Sequence, residues 1–326
     1  MIIVGDALET LKEMESESID CCITSPPYYN LRDYGVEGQI GLEKNPDEYV
    51  SKLVEIFREV RRVLKDDGTL WLNIGDSYAG SGKGKNDTHS NNKGNIGSKN
   101  NIALQVNFSN GEIKPKDLIG IPWLVAFALR ADGWYLRDDV IWYKPNCMPE
   151  SVTDRFTKSY EHIFLLSKSR QYYFDWRAVQ ELAVGFDTSS PRGSKGCSTP
   201  NAGRRKGNAK SFRGGGAYTG GQSFDNNSTA ERENHGNIPN ETGLRRRRNV
   251  WIVSTKGYAG AHFATFPPKL IEPCILAGCR AGGTILDPFC GSGTTGEVAI
   301  KHDRNFIGIE LNPQYAEMAA KRMSAI

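Results

Sequence analysis

The sequence predicts an α/β fold: a doubly wound, mostly parallel sheet interrupted by an irregular basic insertion. Three observations carry this. Short apolar strands alternate with amphipathic helices near both ends of the chain. One of those strands runs into a glycine loop that opens a helix, "ILDPFCGSGTTGEVAI". Between about Ala183 and Val250 the alternation lapses, and Gly, Asn and basic residues take its place.

The elements read in order. "MIIVGDAL" is a short buried strand ending at Gly5 and Asp6, "ALETLKEM" a short helix, and "IDCCITSPPYY" a second buried strand. In "PDEYVSKLVEIFREVRRVLKDDG", Leu53, Ile56, Phe57, Val60 and Leu64 fall at helical spacing, and the helix is expected to stop at Gly68. "GTLWLNIGDSY" is the next strand. Helix "PKDLIGIPWLVAFALRADG" and strands "WYLRDDVIWYKP" and "HIFLLSKS" follow. After the basic stretch come helix "FPPKLIEPCILAGC", strand "GGTILDPF", helix "TTGEVAIKHD", strand "RNFIGIEL" and helix "NPQYAEMAAKRM", with Asn312 as N-cap. Gly80 to about Asn110 is Gly-, Asn-, Ser- and Lys-rich and reads as a mobile surface loop.

Composition sets bounds. The 326 residues carry 24% charged and 38% hydrophobic side chains and a net charge of +3, an ordinary soluble balance. No run of about 18 apolar residues is present, so no membrane span is expected. The N-terminus lacks a basic n-region and a cleavage pattern, which points away from a signal peptide and to the cytoplasm. Seven cysteines without framework spacing read as free thiols. Cys274 and Cys279, with His262 upstream, fit no zinc spacing and are read as core residues; no metal is expected. Charge is uneven. Residues 183–250 hold twelve Lys/Arg against five Asp/Glu, a net of +7, which leaves −4 elsewhere. Such a stretch is either a solvated charge run or a phosphate-contacting segment that orders on DNA.

Gly291, Gly293 and Gly296 match G-x-G-x-x-G, and Glu310 ends the following strand. That pattern alone fits a dinucleotide site. Asp287, at the strand end ahead of the loop, argues against one, because a carboxylate beside a pyrophosphate is repelled. A dinucleotide fold also begins with this unit, whereas here only one further strand follows. No Lys follows the glycines, which removes the P-loop. The charge logic favours S-adenosylmethionine: the glycines permit close approach, Asp287 meets the positive end and Glu310 holds the ribose hydroxyls. The strand missing after "NFIGIEL" is then supplied by "MIIVGDAL", which places Asp6 over the same cleft, near the adenine.

"TSPPYY" caps the adjacent strand. An exocyclic amine conjugated to its ring is a poor nucleophile, and acceptors on its two hydrogens free the lone pair. Ser25 Oγ is one acceptor. The Pro26 carbonyl is another, held by the restriction Pro27 imposes on the residue before it. Tyr28 offers a flat face to a base taken out of the helix. The alternative for this corner is a Pro-terminated strand with core tyrosines.

With these residues in view, the chain resembles the amino-methylating DNA methyltransferases of the permuted type, in which the catalytic tetrapeptide precedes the cofactor loop. "TSPPY" matches their catalytic motif, "DPFCGSGTT" their cofactor motif, and "HFATFPPKLIEPCI" the segment that helps hold the methionine end. The match covers Met1 to Lys168 and Arg248 to Ile326. The resemblance implies a Rossmann-like, circularly permuted S-adenosylmethionine-dependent fold. Residues 1–182 form its catalytic part, 183–250 a target-recognition region and 251–326 its cofactor-binding part. It adds Phe263, Thr265, Pro288, Phe289, Thr294, Thr295 and Asn312 to the cofactor residues. Ser at the first motif position is usual for cytosine-N4 enzymes and Asp for adenine-N6 enzymes, so Ser25 favours cytosine, with adenine N6 as the alternative. The implied partner is double-stranded DNA, contacted by Arg204, Arg205 and the run Arg245, Arg246, Arg247 and Arg248; Arg32 and Tyr34, directly after the corner, either line the DNA-side loop or, for Arg32, pair with Asp33 or Glu37. A homodimer and a cognate restriction endonuclease are allowed by the resemblance, though no residue specifies either. The implied setting is the cytoplasm of a bacterial, archaeal or phage-encoded system.

Rival readings are separable. Ring-carbon methylation needs a Pro-Cys nucleophile after the loop, and Pro273-Cys274 precedes it. RNA or protein-amide methylation uses similar corners but suits the long basic segment less well. A catalytically inactive DNA-binding protein would not need Ser25, Tyr28, Asp287 and Glu310 intact. Asp76 is either a border of the base pocket or a helix or loop cap. His162 is read as structural and Cys290 as packing.

Overall fold

The computed structural model describes residues 1–79, 113–182, 244–255 and 266–326. The expected mobile loop at 80–110, Phe263, Thr265, Arg204, Arg205, His262 and most of the basic stretch lie outside the described residues. The chain divides into two units: Met1–Gln180 with Arg246–Ile326, and Glu181–Arg245. In the second, β6 (Glu181–Leu182) and β7 (Leu244–Arg245) form an antiparallel pair, with Arg245 Nε donating to Glu181 Oε1 at 2.9 Å.

The first unit is built on an eight-stranded sheet. Its strands are β1 (Ile2–Val4), β2 (Ile19–Thr24), β3 (Leu64–Ile74), β4 (Tyr135–Tyr143), β5 (Tyr160–Ser167), β8 (Val250–Ile252), β9 (Thr284–Asp287) and β10 (Asn305–Glu310). The order across the sheet is β1-β10-β9-β2-β3-β5-β4-β8. Neighbours from β1 to β3 are parallel, β5 is antiparallel to both β3 and β4, and β8 is parallel to β4. The N-terminal strand therefore pairs with β10, Ile3 opposite Ile309, in the place expected for it.

Both faces are covered, as period-two burial along the central strands requires. Cys22, Leu70, Leu72, Phe164 and Leu166 point into one core with α1 (Ala7–Glu13), α2 (Pro46–Val63) and α3 (Ile121–Ala131). Cys21, Ile23, Trp71, Ile163 and Leu165 point into the other. That second core receives α4 (Pro268–Gly278), α5 (Thr294–Lys301) and α6 (Pro313–Ser324). Cys274 and Cys279 are fully buried in it, which agrees with core packing.

α2 starts from a reciprocal cap: Glu48 N–H donates to Asn45 Oδ1 and Asn45 Nδ2 to Glu48 Oε1, both at 2.8 Å. It ends at Val63, not at Gly68. Leu64 already pairs with Ile19, and the register then shifts so that Cys21 meets Thr69. Lys65 to Gly68 absorb the shift; two consecutive Asp are weak helix formers, and a Cβ at Gly68 would meet the Lys65 carbonyl at 2.9 Å. α3 likewise starts later than expected, at Ile121. Its N-terminal N–H groups at Gly120 and Ile121 donate to Asp76 Oδ1 at 3.0 and 2.9 Å. Asp76 is thus a helix cap.

Candidate active site

Parallel strands present their carboxyl ends at one sheet edge, where ligands of open α/β sheets bind. Here that edge gathers Asp287 from β9, Glu310 from β10, Asp6 after β1, Ser25 after β2 and Asn73 in β3. Because β5 runs the other way, its first residues reach the same edge, with His162 opposite Ile74 and Glu161 opposite Trp142. A single cavity of about 700 Å³ joins these ends, within the roughly 300–1,000 Å³ of small-molecule sites.

The glycine loop forms the floor on one side. Gly291 and Gly293 have φ of 52° and 78°, the left-handed region that favours glycine. At Gly293 a Cβ would also meet Ala319 at 2.9 Å, so this position lets α5 and α6 close on each other. Asp287 is buried. Its Oδ1 accepts from Thr24 Oγ1 at 2.6 Å and from Phe289 N–H at 3.1 Å, and its Oδ2 accepts from Thr295 Oγ1 at 2.6 Å. Burial pushes its carboxyl up to about 6 against the pull of those three donors. Glu310 accepts from Gly291 N–H at 2.7 Å and from Asn312 N–H at 2.9 Å, and burial raises its carboxyl too. A carboxylate offers about four acceptor positions, so Glu310 keeps capacity for ligand hydroxyls. Asp6 caps α1 by accepting from Glu9 N–H at 3.0 Å and also lines the cavity.

Of the residues expected at the cofactor, Asp6, Asp287, Pro288, Phe289, Gly291, Thr294, Glu310 and Asn312 line the cavity. Gly293 and Thr295 do not. Gly293 shapes the turn and Thr295 holds Asp287 from behind. Asn312 also caps α6, accepting from Gln314 N–H at 2.9 Å. Cys290 lines the wall, and burial raises its thiol, which keeps it protonated.

On the other side stands the Ser-Pro-Pro-Tyr corner. Ser25, Pro26, Pro27 and Tyr28 all face the cavity, whereas Tyr29 is buried against Tyr49 at a ring distance of 5.5 Å. The Pro27 carbonyl accepts from Tyr49 Oη at 2.9 Å, which ties the corner to α2. Arg32 and Tyr34 line the same cavity.

Four side chains of this wall were not anticipated: Asn73, Trp142, Lys144 and Glu161. Tyr28 Oη donates to Glu161 Oε2 at 2.7 Å, and Lys144 pairs with Glu161 Oε1. The available signals were a lone carboxylate opening the apolar strand "YEHIFLLS" and a lysine ending "VIWYK". His162 is buried, bonded through Nδ1 to Asp139 Oδ1 at 2.8 Å and stacked on Phe164, as a structural residue would be. Arg246, Arg247 and Arg248 do not line the cavity. Arg246 sits 4.8 Å from the centre of the Trp176 ring and Arg247 4.9 Å from that of Trp251.

The charged side chains contributed by the ends of β1, β9 and β10 are all carboxylates. A pyrophosphate would be repelled there, whereas a cationic, ribose-bearing molecule is attracted. Fold and cavity together are those of an S-adenosylmethionine-dependent methyltransferase.

Comparison with known proteins narrows the class. The profile of the N6/N4 DNA methylase family matches residues 19–321. The chain is 46% identical over 322 residues to the type II methyltransferase M.SmaI of Serratia marcescens, covering 99% of this chain and 90% of the relative. It is 44% identical to M.Cfr9I of Citrobacter freundii, covering 98% and 86%. Among solved structures, the cytosine-N4-specific PvuII DNA methyltransferase superposes with a TM-score of 0.60 at 19% identity, over 99% of this chain and 85% of that one. The M1.HpyAVI complex with S-adenosylmethionine gives 0.51 at 17%, over 99% and 98%. The chain belongs to the N6/N4 DNA methylase family. Its activity is methyl transfer to DNA, with S-adenosylmethionine as the donor. No helix among the described residues is long and apolar enough to cross a membrane.

Proposed function

We propose that the protein methylates the exocyclic amine of a base flipped out of double-stranded DNA, and that the base is cytosine, modified at N4. The observation that carries this reading is the single cavity that places the Ser25–Tyr28 corner beside Asp287 and Glu310. It supports the permuted motif order, with β1 as the third strand of the cofactor half. When bound, the cofactor supplies an electrophilic methyl group. Glu310 and Asp6 hold its ribose and adenine ends, and the Asp287 carboxylate places negative charge near its cationic end. Pro288, Phe289, Gly291, Thr294 and Asn312 shape the same half.

Ser25 Oγ and the Pro26 carbonyl accept the two amine hydrogens, which favours a tetrahedral nitrogen with its lone pair free for in-line attack. The Tyr28 ring stacks on the base. The amine proton leaves after transfer, so no strong base is needed beforehand. Ser25 favours cytosine, because Ser at this motif position is usual for the cytosine-N4 members of the family. Arg32 and Tyr34 belong to the DNA side of the cavity. The type II designation of the relatives supports a restriction–modification setting.

Ser25→Ala is the test. Methyl transfer from radiolabelled S-adenosylmethionine should fall at least ~100-fold, in the range of a lost acceptor at a reacting centre, while DNA binding in a mobility-shift assay persists. Unchanged transfer would remove the corner from the chemistry.

A further inference from the structure

The transfer step described above makes no use of Glu161, although this carboxylate sits inside the cavity wall and is 15% exposed. Its partners converge from the loop after β2, from β3 and from just past the end of β4. The Tyr28 hydroxyl has one proton to give. That proton goes to Glu161 Oε2 at 2.7 Å, with Asn73 Oδ1 the weaker acceptor at 3.2 Å. Asn73 Nδ2 reaches Glu161 Oε2 at 3.3 Å and the His162 carbonyl at 3.1 Å, which ties the amide to β5. On the far side, Lys144 pairs with Glu161 Oε1 and lies 4.2 Å over the Trp142 ring.

These contacts act on Tyr28 in a specific way. A tyrosine hydroxyl lies on the ring's own rotation axis. Anchoring it fixes where that axis points and leaves the ring free to spin. The spin is limited elsewhere. Gly75 packs so close to the ring that a Cβ there would stand 2.5 Å from Tyr28 Cε2 and 2.9 Å from Cδ2. Axis and rotation are thus restrained by different elements, one through Glu161 and one through the backbone after β3.

We infer that Glu161 is a positioning residue. It holds the axis of the Tyr28 ring, whose spin Gly75 limits, and through the ring it holds the flipped base where the Ser25 acceptor requires it; Lys144 keeps the carboxylate in place as its counter-ion. The inference rests on Tyr28 being the base platform. It assigns to Glu161 an effect on turnover rather than on cofactor binding, and one that needs the Tyr28 hydroxyl.

A double-mutant cycle tests this. Tyr28→Phe keeps the ring and removes the anchor; Glu161→Gln weakens the acceptor. Each should lower kcat about tenfold, the equivalent of one charge-assisted hydrogen bond. The KM for S-adenosylmethionine should stay within about twofold in each. The double variant should fall no more than about twofold below the worse single variant. Losses that multiply to about a hundredfold would show that Glu161 acts independently of the hydroxyl and overturn the inference. So would a Tyr28→Phe enzyme with the kcat of the parent, a result that stands even if Glu161→Gln does not fold by circular dichroism. A parent enzyme that methylates no DNA amine would instead defeat the function proposed above, so the two failures are distinct.

Discussion

Thr24→Val removes one donor from a buried carboxylate and changes little else. Thr24 and Asp287 are each 1% exposed, and the bond between Thr24 Oγ1 and Asp287 Oδ1 is 2.6 Å. Valine keeps the β-branched shape that suits β2. A hydrogen bond to a charged group contributes about 1.5–3 kcal/mol and one between neutral groups about 1. The Thr24 bond lowers the Asp287 carboxyl, while burial dominates and holds it near 6. Asp287 ionises above that value, so the charged bond is present at pH 8 and weakens as pH falls through about 6. Urea unfolding should therefore show a loss of about 2 kcal/mol at pH 8 and about 1 kcal/mol or less at pH 5. The parent has its own slope: a carboxyl raised above its unfolded range contributes stability that declines as pH rises from about 4 to about 6. Thr24→Val pushes the carboxyl further up and extends that decline to higher pH. A loss equal at both pH values, or below about 0.5 kcal/mol at pH 8, would refute the placement of a charged, three-donor Asp287 in the cavity wall.

Gly75→Ala puts a methyl group 2.5 Å from the Tyr28 ring, so single-turnover methyl transfer should drop at least ~10-fold, a shift in position being enough. Cofactor affinity by calorimetry should stay within about twofold of the parent. Affinity of the parent for S-adenosylmethionine should rise between pH 5 and pH 7 as Asp287 gains its charge near 6. Glu310, the other burial-raised carboxyl at this edge, remains in both proteins, so an Asp287→Asn profile as steep as the parent's would clear Asp287 of any role at the cofactor's cationic end.

Legibility in the sequence followed the range of the interactions. β9, its glycine loop and α5 are contiguous, and their chemistry could be read from one stretch. The place of β1 followed from counting strands, because Glu310 ends a strand that needs a parallel neighbour. Asp76 was ambiguous because its partners, Gly120 and Ile121, lie across the residues from 80 to 112. Glu161 was missed for a related reason. It enters the site only because β5 is antiparallel, and its partner Tyr28 is 133 positions away. The end of α2 was misplaced because the register shift between β2 and β3 is a property of the pair, invisible in the helical spacing of Leu53 to Leu64. Composition gives no sign that Arg246 and Arg247 lie over the rings of Trp176 and Trp251.

The central claim is a methyl group placed on the exocyclic amine of cytosine. Unmethylated DNA of mixed sequence, incubated with the full chain and S-adenosylmethionine and digested to nucleosides, should yield N4-methylcytosine by mass spectrometry. N6-methyladenine in its place would contradict the choice of base, and 5-methylcytosine would contradict the chemistry assigned to Ser25, Pro26 and Tyr28.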